Sequence, residues 1–304
     1  MLAQKYSSYE VLVINDHSTD GSAELLEALS LKFSSLKVLE FTKTKVGRGK
    51  KEALVFGVEN ASYPYLLFTD ADCKPAGKHW LRTMASSFQS KEIVLGISPY
   101  YFQNNLTGWI TAWETFLTAQ QYMSFAMAGM PYMGVGRNLA YTKSVFEKSS
   151  KMQQHLQLPS GDDALLISEV ATSGNVALNI EKEGYTYSPG PDSFEGWWHQ
   201  KRRHLSTSYR YNPGVAIPLA LFGMGQVLFY LLLLPVTLFC WDVWWFQILL
   251  WGKLTLQIVT MMGFAAKTGQ LRVLCFFIII EPLVVFLLSV IHFQNKILGN
   301  SKDW

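Results

Sequence analysis

The sequence predicts an α/β domain with a mostly parallel sheet, followed by helices that are long and apolar enough to cross a membrane. Short apolar runs alternate with helical segments along residues 1–210, which is the order of elements in parallel sheets. From Val215 onward the chain is almost entirely apolar. Stretches of that length and composition are typical of transmembrane helices.

Length, charge and cysteine content limit the classes of function. A chain of 304 residues has room for one enzyme-sized domain and a smaller module. The net charge of +3 gives no reason to expect a nucleic-acid partner. Cys73, Cys240 and Cys275 lie far apart in the sequence, which excludes a disulfide framework or a cysteine zinc site and favours a reducing compartment.

The first elements in chain order are two strands with a helix between them. Residues 10–14 form a short apolar run, residues 23–31 have helical periodicity, and residues 37–41 form the next strand. Ser18 or Asp20 can cap the helix, because a short polar side chain there accepts a hydrogen bond from the first turn. This order predicts the start of a parallel sheet.

Two carboxylates follow the third strand. Residues 65–69 are an apolar run typical of a buried parallel strand, and Asp70 and Asp72 come directly after it. Open α/β sheets bind their ligands at the carboxyl ends of such strands. Side chains at i and i+2 of an extended segment point the same way, so both carboxylates can hold one Mg²⁺ or Mn²⁺ and leave positions open for phosphates. The alternative for such a triplet is a turn or a solvated surface.

Two further polar features follow strands in the same part of the chain. Asp16 follows the first strand and could accept a hydrogen bond from a nucleobase, although capping the next helix is its default interpretation. Lys50 or Lys51 opens the second helix and could meet a diphosphate, although surface charge is the alternative. Together with Asp70, these residues predict a single crevice at one edge of the sheet.

The middle of the chain predicts an acceptor region and an acidic helix start. Residues 109–127 form an aromatic-rich helix, in which Trp113 either packs in the core or stacks on a sugar. Residues 134–138 are a glycine-rich return that lets the backbone approach a ligand. Asp162 and Asp163 begin the next helix, where favouring the helix dipole is the alternative to a chemical role.

A short amphipathic segment precedes the apolar tail. Residues 194–210 combine tryptophans with arginines, a composition that suits a helix lying in a membrane interface. Gln200, Arg203 and His204 stand at i, i+3 and i+4, so they share one face of this helix.

Three apolar segments of spanning length follow. They are residues 215–239, 243–266 and 271–293. Basic residues before the first span and between the second and third predict a cytoplasmic soluble part, with Asp242 outside. The alternative is a buried helical hairpin in a soluble core. The predicted regions are a catalytic domain at 1–193, an interfacial helix at 194–213 and a transmembrane region at 214–304.

Five motifs in this order resemble those of the family 2 glycosyltransferases. They are residues 15–20, 49–50, 70–72, 161–163 and 200–204, and the resemblance covers roughly residues 8–240. Such enzymes are inverting, use nucleotide sugars and have a GT-A fold. The most similar are membrane-bound synthases with helices after the catalytic domain, such as cellulose and hyaluronan synthases.

The resemblance implies a role for each acidic motif. Asp16, Lys50 and Asp70 would bind the donor, and Asp70 and Asp72 would hold Mg²⁺ or Mn²⁺. Asp163, with Asp162 beside it, would be the general base that deprotonates the acceptor hydroxyl.

The later motifs concern the acceptor and the leaving diphosphate. The residues assigned to the acceptor are Gly134, Asn138 and Trp113. Gln200, Arg203 and His204 correspond to the Q-x-x-R-W motif, which closes over the diphosphate and the acceptor end. His204 stands where tryptophan is usual, so the stacking platform for the acceptor sugar is smaller and ionisable.

The sequence departs from the family in two further places. Asn15 replaces the usual first acidic residue of its motif. The family also begins with an apolar strand well before that motif, whereas here only nine residues precede the first strand. We therefore expect that the first strand of the sheet is missing and that its loss leaves backbone groups unpaired. On this basis we expect the chain to be N-terminally incomplete or its start to be wrongly assigned.

These observations predict a multi-pass enzyme of the cell (inner) membrane. It would move a sugar from a nucleotide sugar, most simply a UDP-sugar, to a glycan or lipid-linked acceptor in polysaccharide synthesis. One alternative is a non-processive transferase acting on a polyprenyl phosphate. The other is a catalytically dead, truncated transferase that serves as an assembly partner.

Overall fold

The computed structural model describes residues 1–41, 49–149, 162–206 and 210–298. The chain divides into two compact units, each of which draws on two stretches of sequence. The first unit consists of Met1–Ser98 and Phe125–Ser188, and the second of Pro99–Ser124 and Pro189–Trp304.

The first unit is an α/β domain. Its strands are β1 (Val11–Asn15), β2 (Leu36–Glu40), β3 (Tyr65–Phe68), β4 (Lys74–Pro75), β5 (Ile93–Leu95), β6 (Leu139–Thr142), β7 (Val176–Leu178) and β8 (Thr186–Tyr187). Its helices are α1 (Ser22–Lys32), α2 (Gly49–Asn60), α3 (Trp80–Ser86), the end of α4 (Leu106–Met127), α5 (Lys143–Lys148) and α6 (Asp162–Val170). Asp20 accepts a 3.2 Å hydrogen bond from the backbone N–H of Ser22 at the start of α1.

The sheet is mixed, although a mostly parallel one is expected from the alternating elements. β1 and β2 pair in parallel, as do β5 and β7. β6 lies between β3 and β5 and is antiparallel to both. The α/β class is therefore confirmed. Hydrophobic patterning marks strands but carries no information on pairing direction, so the antiparallel insertion of β6 is invisible in the sequence.

The strands of the first unit form separate ladders in the described part of the chain. β1 pairs with β2 alone, and β3 pairs with β6 alone, so the two ladders are not joined.

The core of the first unit lies between α3 and the middle of the four-stranded sheet. Trp80 and Met84 of α3 pack with Val94 of β5 and Ala140 of β6. All three residues of β5, which lies between β6 and β7, are fully buried.

The second unit is helical. It contains most of α4, then α7 (Phe194–Leu205), α8 (Pro213–Cys240), α9 (Trp244–Thr268), a 3₁₀ turn (Leu271–Phe276) and α10 (Phe277–Leu298). Three of its helical segments are long and apolar enough to cross a membrane: Pro213–Cys240, Trp244–Thr268 and Leu271–Ile297. They overlap the three predicted spans. No residue of α8 is buried, which suits a helix whose apolar surface faces lipid.

An aromatic cluster forms the core of the second unit. Trp113 of α4 and Trp197 of α7 are both fully buried. The Trp113 ring centroid lies 5.9 Å from that of Phe116 and 6.2 Å from that of Phe277. Trp113 thus takes the core-packing alternative, and its acceptor role stays a prediction.

Candidate functional site

The structure brings the basic start of α2 close to the first of the paired carboxylates. Lys50 lies in the first turn of α2, and Asp70 follows the end of β3. The Nζ atom of Lys50 is 2.9 Å from Oδ1 of Asp70. Both side chains remain accessible, at 67% and 35% of their full exposure, so a ligand can reach the cation and the carboxylate at once.

Asp72 lies in the turn that follows Asp70. The backbone N–H of Cys73 donates to the carbonyl oxygen of Asp70 over 3.1 Å and closes this turn. Asp72 is exposed, whereas Cys73 is buried. Burial raises the pKa of the Cys73 thiol, and the charges of Asp72 and Asp70 raise it further. The thiol is therefore protonated at neutral pH.

A divalent cation fits this pair of carboxylates. Oxygen ligands suit Mg²⁺ and Mn²⁺, and such ions keep positions open for water and phosphate when one or two carboxylates hold them. In the described part of the chain, no three His, Cys, Asp or Glu side chains converge into a closed metal site. A cation bound to Asp70 and Asp72 would thus complete its coordination with water or a ligand phosphate.

Asp16 directly follows β1 in the same unit. Its Oδ1 atom lies 3.1 Å from Nδ1 of His17, which adopts a left-handed backbone conformation with φ of 58°. A Cβ placed on Gly57 of α2 would lie 2.7 Å from Cδ1 of Ile14 in β1. The helix that carries Lys50 therefore packs closely on the strand that leads to Asp16.

Asn15 shapes the turn before Asp16. Its side chain is buried, and its Nδ2 atom donates to Oε2 of Glu40 over 2.8 Å. Its Oδ1 atom accepts a 3.2 Å hydrogen bond from the backbone N–H of Ser18. An aspartate could not make both contacts, since it has no donor for Glu40. The departure from the family pattern at this position thus has a structural reason that the sequence alone does not reveal.

Asp163 is anchored to the glycine-rich return. Its Oδ2 atom accepts a 2.5 Å hydrogen bond from the backbone N–H of Gly136, and its Oδ1 atom accepts one of 2.7 Å from Ala164. A Cβ on Gly136 would lie 3.0 Å from Oδ2 of Asp163, so the close approach needs glycine. The backbone of Asp162 begins α6, but its side chain lies outside the described residues.

Asn138 holds three segments of the first unit together. It is fully buried, and its Nδ2 atom donates to the carbonyl oxygens of Ile97 at 2.8 Å and Gly184 at 2.7 Å. Its Oδ1 atom accepts a 3.1 Å hydrogen bond from Nε1 of Trp80. Because both amide N–H groups are used within the protein, these contacts describe a framework residue. Its predicted acceptor role stays a prediction.

Gly134 allows close packing at the start of the same return. A Cβ at this position would lie 2.9 Å from Cδ1 of Leu139 and 3.1 Å from Cδ2 of Leu95. The segment that the sequence assigns to the acceptor is therefore pressed against β5 and β6 at one end and bonded to Asp163 at the other.

The remaining predicted residues lie on α7 in the second unit. The Nε2 atom of Gln200 donates to the hydroxyl of Tyr100 over 3.1 Å, while its Oε1 atom is buried without a hydrogen-bond partner in the described structure. Arg203 and His204 follow one turn later on the same helix. The hydroxyl of Ser193 caps this helix by accepting from the backbone N–H of Gly196 over 3.1 Å.

Comparison with known proteins connects this geometry to a class of enzymes. Residues 1–149 match the sequence profile described as glycosyl transferase family 2. Over 72 residues the chain is 36% identical to the poly-beta-1,6-N-acetyl-D-glucosamine synthase of Staphylococcus epidermidis, and 39% identical to that of Staphylococcus aureus strain COL. Each match covers 24% of this chain and 16% of the relative.

A solved structure supports the fold assignment. The mannosyltransferase PcManGT from Pyrobaculum calidifontis, solved in complex with GDP-Man and Mn²⁺, aligns with a TM-score of 0.55 and 13% identity. The alignment covers 97% of this chain and 81% of that one. The first unit is thus a GT-A-like α/β domain, three apolar helices follow it in the sequence, and residues 1–149 are similar to glycosyl transferase family 2.

Proposed function

We propose that this protein is a membrane-bound inverting glycosyltransferase that moves a sugar from a nucleotide sugar to a glycan or lipid-linked acceptor. The observation that carries the proposal is the contact between Lys50 and Asp70, 2.9 Å apart, within the region that matches glycosyl transferase family 2. An accessible cation beside an accessible acidic pair suits a metal-bound diphosphate.

Asp70 and Asp72 would hold Mg²⁺ or Mn²⁺, which when bound takes up negative charge on the leaving diphosphate. Lys50 adds a second positive charge on the same side. Gln200, Arg203 and His204 would contribute further donor contacts, as the Q-x-x-R-W resemblance implies. Asp16 would recognise the base through its carboxylate.

Asp163 acts as the general base in this proposal. The acceptor hydroxyl oxygen attacks the anomeric carbon while its proton passes to the Asp163 carboxylate. The bond from that carbon to the diphosphate oxygen breaks in line, and the nucleoside diphosphate leaves. The hydrogen bonds from Gly136 and Ala164 hold the carboxylate in position for this transfer.

The membrane placement rests on the three apolar helices and on charge. Lys267 and Arg272 flank the connection between α9 and the last span, and Asp242 lies between α8 and α9. From the positive-inside bias we infer that the catalytic part faces the cytoplasm. The donor sugar is proposed from the relatives, which polymerise N-acetylglucosamine by name, so UDP-N-acetylglucosamine is the first donor to test and GDP-mannose the second.

The test is transfer of labelled sugar by the full chain in lipid nanodiscs with Mn²⁺. We expect turnover that is lost in Asp72→Ala and Asp163→Asn. Glu27→Gln, an exposed carboxylate on α1, is the matched control and should retain turnover. Wild-type turnover that persists in both site variants would reject the assigned roles.

Product analysis separates the proposed function from its alternatives. A single sugar added to a polyprenyl phosphate would identify a non-processive transferase, which His204 in place of tryptophan favours. A chain that binds no nucleotide in calorimetry would instead be a truncated assembly partner, and the enzymatic proposal would fail.

A further inference from the structure

The second unit contains an ion pair whose two partners are both buried. Lys201 of α7 contacts the carboxylate of Glu114 in α4, and their side chains retain only 7% and 10% exposure. By contrast, four other ion pairs each include a side chain that is more than half exposed: His17–Asp16, Lys50–Asp70, Lys148–Glu92 and His199–Glu195. The pair of Lys201 with Glu114 is therefore much more desolvated than these four.

A gain in folding stability does not explain why the charges of Glu114 and Lys201 are both buried. Removing both ions from water is costly, and their attraction often only balances that penalty. Replacement of such a pair by apolar residues of similar size is frequently neutral for folding. A buried pair is more useful for fixing one geometry, because neither charge can leave its partner without a large penalty.

Lys201 sits inside the motif that is predicted to bind the donor. It directly follows Gln200 and stands two positions before Arg203. Successive helix residues point about 100° apart, so the contact of Lys201 with Glu114 sets the rotation of α7 about its own axis. That rotation determines where Gln200 and Arg203 point.

Contacts of the residues on either side of Lys201 also restrain α7. Gln200 donates to Tyr100, and Arg202 is bonded through its carbonyl oxygen to Nδ2 of Asn295 at 2.9 Å. The Glu114 carboxylate is itself restrained, since its Oε1 atom accepts a 2.9 Å hydrogen bond from the Thr118 hydroxyl. Three consecutive residues of α7 are thus held by three different segments of the second unit.

We propose that Glu114 and Lys201 are positioning residues that fix the rotation of α7 and thereby hold Gln200 and Arg203 in their donor-binding orientation. This inference rests on the proposed glycosyltransferase function. It assigns no chemical step to either residue, and it predicts that their effect on catalysis exceeds their effect on folding.

The experiment compares three variants of the full chain in nanodiscs. Glu114→Leu with Lys201→Leu removes both charges and should leave the melting temperature nearly unchanged. Transfer should nevertheless fall, with kcat/KM lowered on the order of 10- to 100-fold and the donor KM raised, because misplacement of binding groups costs that much. Glu114→Lys with Lys201→Glu should restore part of this loss, since it rebuilds the pair in reverse.

The exposed pair supplies the control. Glu92→Leu with Lys148→Leu removes an ion pair of the same type and should leave the donor KM unchanged. An unchanged KM and kcat in the buried-pair variant would overturn the inference, as would a melting temperature that falls in proportion to activity.

Amide hydrogen exchange distinguishes this inference from the proposed function. If the wild-type chain transfers no sugar from any donor, the proposed function fails, but exchange in α7 still reports on positioning. Faster exchange confined to α7 in the double-leucine variant would support the role of the pair in holding that helix. Unchanged exchange there would contradict it.

Discussion

The two units use their carboxylates in opposite ways. In the first unit, Asp70 and Asp72 lie in an accessible turn, and Asp163 is held by backbone N–H groups. In the second unit, Glu114 and Glu281 are buried and engaged with side chains of other helices. An accessible acid is available to a ligand, whereas a buried acid that contacts another helix determines how helices pack. The position of an acid in the sequence does not show to which of these two classes it belongs, but its contacts in the structure do.

Replacement of Asp163 should have the largest effect on activity. Asp163→Asn keeps an oxygen that can accept from Gly136, so the fold should persist, but the amide cannot take a proton. We expect transfer to fall by roughly 10²- to 10⁴-fold, the usual contribution of a general base. Initial rates of sugar transfer, with circular dichroism as the folding control, measure this. A variant with near wild-type rates would contradict the proposed role of Asp163 as the general base.

Loss of the Lys50 charge should have a smaller effect. Lys50→Gln removes a cation from the predicted diphosphate site, and loss of one such electrostatic contact costs about 10²-fold in turnover. Because this ion pair is exposed, it should contribute at most about 1 kcal/mol to stability. Donor hydrolysis and thermal melting of the same sample test both statements. A large drop in melting temperature with intact hydrolysis would place Asp70 among the structural acids.

The sequence predicts much of this site but little of its framework. The strand before Asp70 and the basic start of α2 follow from apolar runs and turn residues, and in the structure Lys50 lies 2.9 Å from Asp70. The sequence does not identify Asn15 and Asn138 as framework residues, because their hydrogen-bond partners lie far away in the sequence. A buried amide has the same sequence signal as an exposed one.

The helical unit shows the same limit. The three apolar helices are evident from hydropathy, since each apolar stretch is long and continuous. The pairing of Glu114 with Lys201 joins positions in two different helices, and no periodic pattern connects them. Antiparallel β6 is missed for a similar reason, since strand direction depends on the path of the chain between strands.

Replacement of Glu281 tests whether a buried acid of the second unit contributes to stability and not to activity. Its Oε2 atom accepts a 2.5 Å hydrogen bond from Nε2 of Gln257, and it is also hydrogen-bonded to Tyr230. Glu281→Ala leaves these partners without an acceptor, so we expect a loss of about 1–3 kcal/mol in stability. Activity per folded molecule should not change. Glu281→Gln, which keeps an acceptor oxygen, is the milder control in detergent melting experiments.

Replacement of Glu92 should have the smallest effect, a change in melting temperature that depends on pH. The hydrogen bond from Lys148 lowers the pKa of the Glu92 carboxyl below its ordinary value of 4.5. A depressed pKa in the folded state stabilises the protein above the unfolded pKa, and this contribution is lost as the pH falls through the folded pKa. Glu92→Gln should therefore lower the melting temperature slightly at neutral pH, with the difference from wild type vanishing in acid. A difference that grows on acidification would contradict the assignment.

Binding of Mn²⁺ tests the central claim most directly. Electron paramagnetic resonance of Mn²⁺ titrated into the full chain with UDP present reports metal occupancy without any need for turnover. We predict one nucleotide-dependent Mn²⁺ site in the wild-type chain and none in Asp70→Asn with Asp72→Asn, while Glu27→Gln binds as wild type does. Equal Mn²⁺ binding in the wild-type and double-asparagine chains would show that the accessible acids of the first unit are not a metal and donor site.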